Sequence, residues 1–219
     1  MEPGKFIVLE GIDGSGTTTQ AERLAQWLRG RGLKVHLTRE PSTGRVGQVI
    51  REWLAEPESG ARLGSAAPPE AETSIVQLRH HALALLFAAD RLDHLAREVE
   101  PQLSQGIHVV SDRYLLSSLA YQSLACDRDW VAEINREARP ADLTILLDLP
   151  AEQAMKRVSR RDKQPELFEK IEVQEKVRQL YLDTVRELAS EQAVVVLDGS
   201  KGIEEVFQAI CKTVEPILG

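Results

Sequence analysis

The stretch from Phe6 to Gln20 limits the possible folds more than any other part of the chain. An apolar run rich in β-branched residues, Phe6-Ile7-Val8-Leu9, ends at Glu10 and gives way to a loop carrying Gly11, Gly14 and Gly16. Leu24, Trp27 and Leu28 then recur at helical spacing, so the segment reads as strand, tight loop, helix. Glycines in such a loop let backbone N–H groups turn inward around phosphate oxygens, and the positive end of the helix dipole adds to the attraction. Gly11, Ile12, Asp13, Gly14, Ser15, Gly16, Thr17 and Thr18 follow the spacing G-x-x-x-x-G-K-[ST], in which the last hydroxyl holds magnesium. Thr17 stands where that motif has the lysine that reaches the β- and γ-phosphates. Taken alone, the loop also fits a glycine-rich turn without a ligand; its place between strand and helix favours phosphate.

Farther along, Lys34 to Thr38 reads as a second strand, and strand, helix and strand this close predict a right-handed parallel βαβ unit with ligands at the strands' carboxyl ends. Arg39-Glu40-Pro41 lies at that end, where Arg39 is either a phosphate clamp or a solvated charge. Residues 46–54 have helical spacing, and 56–72, with Pro57, Gly60, Gly64, Pro68 and Pro69, reads as an irregular insertion within one domain. A helix is expected from about Ser74 to His94. It puts Phe87 and Arg91 on one face, either as a stacking plane beside a hydrogen-bonding fork or as a core aromatic and a surface charge.

A third strand over 106–111 ends in Asp112-Arg113-Tyr114, which suits an acid holding magnesium through water and a cation neutralising phosphate. Strands at 144–148 and 193–198, with helical stretches from Pro150 and Ile203, complete a three-layer α/β architecture. Lys156, Arg157, Arg160, Arg161 and Lys163 make a basic run that is either a solvated face or a short lid, about 157–168, closing over triphosphate.

The 219 residues suffice for one large α/β domain, and a formal charge of −7 argues against a general nucleic-acid binder. Cys126 and Cys211 are the only cysteines and lack metal-ligand spacing, which fits a reducing cytoplasm; no apolar run is long enough to span a membrane. A soluble, cytoplasmic protein is expected, without a secretory leader.

In this order, the phosphate loop, Arg39-Glu40-Pro41, Leu85-Leu86-Phe87-Ala88-Ala89-Asp90-Arg91, Asp112-Arg113-Tyr114 and Ser117-Ser118-Leu119-Ala120-Tyr121-Gln122 make the chain resemble the thymidylate kinases almost end to end. The resemblance implies a single domain over 1–219 with the P-loop NTPase fold, a five-stranded parallel sheet in the order 2-3-1-4-5, a cis bond before Pro41, and a homodimer built on helices. It implies transfer of the γ-phosphoryl group of ATP to thymidine monophosphate, with magnesium, as a step in thymidine triphosphate synthesis. By the same resemblance, Phe87 stacks on thymine, Arg91 donates to a thymine carbonyl, and Arg39 and Arg113 bind the acceptor phosphate. Ser117, Tyr121 and Gln122 shape the substrate pocket, Asp13 lies near the transfer centre, residues 11–18 bind ATP, Thr18 and Asp112 serve magnesium, and Arg160 and Arg161 belong to the lid.

The chain departs from that family at Thr17, at Ser42 and Ser123 where glycine is usual, and in the length of 56–72. For Thr17, the lid cations compensate, the donor geometry differs, or the protein binds nucleotides with little turnover; the cluster Arg160, Arg161 and Lys163 favours the first. A P-loop kinase with another acceptor and a catalytically weak nucleotide-binding protein are the rival readings.

Overall fold

The computed structural model describes residues 3–55, 69–159, 167–188 and 193–218. Strand β1 (Phe6–Glu10) is buried at every position. It pairs in parallel with β3 (His108–Asp112) on one side and β4 (Leu143–Asp148) on the other. Strands β2 (Val35–Arg39) and β5 (Val194–Asp198) form the edges, so the order is β2-β3-β1-β4-β5, as the resemblance implied. The inner strands are buried at nearly every position because helices cover both faces; the edge strands are less buried.

Against one face, α1 (Thr17–Gly30) and α9 (Ile203–Val214) press Leu24, Leu28 and Ile210 onto Ile7, Leu9, Ile145 and Leu147. Phe6 and Val8 alternate to the opposite face. There they meet Leu95, Val99, Leu103 and Tyr114. Beside them, α5 (Leu115–Tyr121), α7 (Ala151–Ser159) and α8 (Leu167–Leu188) contribute Leu116, Met155, Val177 and Tyr181 to a second apolar cluster with Leu146.

α2 (Arg45–Ala55) and α3 (Pro69–His94) pack against each other, and α3 adds Ala84 to that second cluster. The irregular stretch expected over 56–72 lies outside the described residues up to 68, while 69–72 are helical: α3 starts at Pro69, whose fixed φ and missing N–H suit a first helical position. Beyond His94 the helix continues through a wide π turn (Leu95–Val99) into α4 (Glu100–Ser104), with Pro101 unable to donate to the carbonyl four residues back. The short α6 (Arg128–Ile134) starts where Asp127 accepts the Trp130 N–H at 2.9 Å. No helix among the described residues is long and apolar enough to cross a membrane.

Candidate active site

The carboxyl ends of β1, β2 and β3 lie side by side, with Leu9 paired to Asp112 and Asp112 to Arg39, so the loops after three strands open onto one crevice. After β1, the chain turns through the glycine loop into α1, whose cap Gly16 has φ 98°. Gly14 has φ 86° and sits against α7, where an added Cβ would lie 2.4 Å from the Ala154 carbonyl oxygen. The opening turn of α1 leaves N–H groups without intrahelical acceptors and carries no acid, which suits an anion. Around it is a cradle of about 230 Å³ walled by Asp13, Gly14, Gly16, Thr17–Thr19 and Arg113. Thr17 is on this wall at the lysine position, and the Ser15 hydroxyl is buried without a partner. Ile12, by contrast, is a core side chain.

The Thr18 hydroxyl donates to Asp112 Oδ2, while Asp112 Oδ1 is buried and unpartnered. One hydroxyl and one carboxylate in contact, with an acceptor oxygen to spare, fit a magnesium ion completed by water and phosphate oxygens. Among the described residues no cluster of three or more His, Cys, Asp or Glu could hold a metal by itself.

A larger cavity of about 550 Å³ opens beside the cradle and shares Asp13 and Arg113 with it. Its walls include Pro41, Phe87, Arg91, Ser117, Tyr121 and Gln122. Phe87 is half-buried and faces the cavity; it is not sealed in the core. Arg91 is 1% exposed and fully engaged at its terminal nitrogens: Nη1 donates to Asn135, and Nη2 lies 2.9 Å from each of Glu40 Oε2, the Tyr114 carbonyl and Ser118 Oγ. Its Nε has no partner. Neither surface charge nor free fork describes it, because four partners from three segments gather at one guanidinium.

The same helix fixes the loop after β2, which includes the cis Glu40–Pro41 bond. Asp90 accepts from the Ser42 N–H at 2.7 Å and the Ser42 hydroxyl at 2.6 Å, and His94 lies 3.2 Å from Glu40 and 2.7 Å from Thr38. Ser42, where a glycine is common, thus supplies the hydroxyl that ties the loop to α3. Arg39 itself is exposed and lines a neighbouring cavity with Thr18 and Asp112, apart from Phe87 and Arg91.

Arg113 stands at the seam. It has φ 73°, a conformation side chains other than glycine rarely adopt, which turns the chain sharply at the end of β3. Its Nη2 lies 2.7 Å from Asp13 Oδ1, Nη1 lies 3.3 Å from Ser117 Oγ and 3.4 Å from Tyr181 Oη, and its guanidinium sits 5.3 Å from the centre of the Tyr121 ring. Burial alone would lower its pKa, but Tyr121, Tyr181, Asp13 and Glu10 around it raise it well above the ordinary value, so the charge is permanent. Burial pushes the Tyr121 phenol up to about 12, keeping it protonated.

Glu10, Tyr181 and Gln174, to which sequence reasoning gave no role, hold this arrangement. Glu10 is fully buried at the end of β1; it accepts from the Tyr114 N–H at 2.9 Å, the Ser117 N–H at 3.2 Å, the Ser117 hydroxyl at 2.6 Å and the Tyr181 hydroxyl at 3.2 Å. Burial raises its pKa against those hydrogen bonds and Arg113, all of which lower it. From α8, Gln174 accepts from the Asp13 N–H at 3.2 Å and donates to Asp13 Oδ2 at 3.3 Å. Only Glu10, a carboxylate closing an apolar run, left a local signal. Behind the cradle, Arg157 donates to the Ser15 carbonyl at 3.4 Å and the Gly199 carbonyl at 3.0 Å. Of the expected lid, about 157–168, residues 157–159 end α7 and 167–168 begin α8, while 160–166, which holds Arg160, Arg161 and Lys163, lies outside the described residues.

The family model described as thymidylate kinase matches residues 9–210 of the chain. The chain belongs to the thymidylate kinase family. It is 39% identical over 215 residues to a probable thymidylate kinase of Thermococcus kodakarensis, with 98% of both chains covered. It is also 39% identical over 210 residues to one of Pyrococcus horikoshii (95% and 96% covered) and 38% over 216 residues to one of Methanococcus maripaludis (96% and 94% covered). Thymidylate kinase membership places it among the ATP-dependent nucleoside monophosphate kinases.

Proposed function

We propose that the protein transfers the γ-phosphoryl group of ATP to thymidine monophosphate. An acceptor phosphate oxygen attacks the γ-phosphorus in line, the bond from that phosphorus to the β–γ bridging oxygen breaks, and thymidine diphosphate and ADP leave. The observation that carries this reading is the pair of cavities meeting at Asp13 and Arg113, one lined by backbone amides, the other by Phe87 and Arg91. Phe87 stacks on the base, Arg91 stands as a fixed polar wall at its edge, and Tyr121 and Gln122 close the sugar side. Arg113 holds the acceptor phosphate, with Ser117 and Asp13 setting its position. Arg39 joins from the neighbouring cavity and Arg160 and Arg161 close from the lid. Residues 11–18 cradle the donor; Thr18 and Asp112 hold magnesium, which when bound neutralises β- and γ-phosphate charge.

Leu78, Leu85 and Leu92 recur every seven residues along α3 and are 68%, 50% and 43% exposed, which supports a second copy docking there as a homodimer. The free, buried cysteines suit a reducing cytoplasm. Thr17 on the cradle wall favours a second reading, nucleotide binding with little turnover. A panel of nucleoside monophosphates with ATP and magnesium separates the two: thymidine diphosphate formed in preference to other diphosphates supports the kinase, and tight binding without product supports the second.

A further inference from the structure

We infer that His94 is a positioning residue for the acceptor cavity: by holding one oxygen of Glu40, it fixes the Arg91 guanidinium that walls the base side. This rests on the proposed reaction, in which Arg91 meets the edge of the base. His94 does not line the cavity; it is buried one layer behind Glu40 and Arg91, which do. Among the described residues, Glu40 Oε2 is met by Arg91 Nη2 at 2.9 Å and Oε1 by His94 Nδ1 at 3.2 Å, one partner for each oxygen. The Glu40 side chain is 4% exposed, so water does not stand in for either partner. Arg91 and His94 are one turn apart on α3, which puts both on the face that meets the loop after β2. From the same turn Asp90 takes the Ser42 N–H and hydroxyl, so the helix grips residues 40 and 42 with complementary groups.

A carboxylate only accepts, so the proton between Glu40 and His94 is on Nδ1. The other end of the ring is closed by the Thr38 hydroxyl, 2.7 Å from Nε2, and by Glu98 Oε2 at 3.7 Å. Glu98 is in turn 2.6 Å from His36 Nε2, which ties the ring to the edge strand β2. Without the Nδ1 donor, Oε1 would be a buried acceptor with no hydrogen, and Arg91 is the donor already on the same carboxylate. The fork would turn toward Glu40 and off Asn135 and Ser118, which set its plane. The donor cradle shares no residue with this chain of contacts, so the damage stays on the acceptor side.

The test compares His94→Asn, His94→Gln and His94→Leu with the wild-type full chain, by initial rates against thymidine monophosphate and by calorimetric titration of MgATP. Asparagine puts an amide N–H where Nδ1 is and glutamine puts one where Nε2 is, so asparagine alone of the three still donates to Glu40. His94→Gln and His94→Leu raise KM for thymidine monophosphate about tenfold, the low end for one charge-assisted hydrogen bond, and His94→Asn restores it to within about threefold of wild type. MgATP affinity stays within about twofold in every variant. Equal KM values for the asparagine and glutamine variants, or an unchanged KM in all three, overturn the inference. So does a matching loss of MgATP affinity, the mark of a general structural role. A measurement on the unsubstituted chain is independent of how the variants fold: long-range ¹H–¹⁵N spectra, with the His94 ring assigned, show a proton on Nδ1, and a ring protonated at Nε2 alone overturns the inference. Formation of thymidine diphosphate by the wild type tests the reaction separately. A chain that turns over but treats the asparagine and glutamine variants alike keeps its function and loses this inference; one that forms no diphosphate loses both.

Discussion

The two cavities share a wall and are built of opposite materials. The acceptor side is lined by large side chains backed by buried charges: Phe87, Tyr121, and Arg91 locked to Glu40, Asn135 and Ser118. The donor side is backbone amide and small hydroxyl, with Thr17 where a charge is usual. A site of fixed side chains selects by shape; a site of backbone groups takes any polyphosphate that fits the helix terminus. On the proposed reaction, specificity belongs to the first cavity, and the charge that assists transfer to the seam. A substitution in one cavity's wall should damage that cavity and spare the other, except at Arg113, which with Asp13 belongs to both.

Arg113→Ala has the largest effect, because it strips both sides: kcat/KM for thymidine monophosphate falls about 10³-fold in initial-rate assays, the upper size for losing one preorganised stabiliser. Next is Glu40→Ala, which leaves the Arg91 charge buried without its carboxylate and should cost about 3–5 kcal/mol of stability in urea unfolding, with MgATP affinity of the folded fraction unchanged. Phe87→Ala follows, raising KM for thymidine monophosphate by the equivalent of about 1–3 kcal/mol of stacking while KM for ATP stays constant. Equal damage to both substrates by Phe87→Ala would break the division.

Glu10→Gln gives the smallest change, read as a slope against pH. The folded-state pKa of Glu10 is raised from the ordinary 4.5, so its stability contribution is complete below that value and is lost as pH rises through the folded-state pKa. The wild-type melting temperature should accordingly fall relative to Glu10→Gln as pH increases from about 4.5 upward. A parallel pair of curves would mean that residue 10 does not titrate across this window.

What could be read in the chain follows the range of the interactions. The fold came from short periodicities and glycine punctuation, and the strand order from the resemblance. Phe87 with Arg91 was legible because one helix turn fixes the pair; Thr18 and Asp112, 94 positions apart, were each marked by a local signal of their own, the phosphate loop and a strand end. Gln174 was not, since its partner Asp13 is 161 positions away and nothing near either marks the other. Arg91 was half legible: the helix puts it beside Phe87, but its burial depends on Glu40, Tyr114, Ser118 and Asn135 arriving from elsewhere. Arg39 was placed correctly at a strand end, yet the sheet edge turns it toward the neighbouring cavity. The helix at Arg128–Ile134 was passed over because about two turns carry too little periodicity; its Asp127 cap was the available sign.

The roles of the two cavities depend on where a monophosphate nucleotide settles, and a crystal soaked with thymidine monophosphate answers that directly. The pyrimidine ring should lie against Phe87 and its phosphate oxygens about 3 Å from the Arg113 guanidinium. A nucleotide whose phosphate occupies the glycine cradle, with the ring away from Phe87, would contradict those roles.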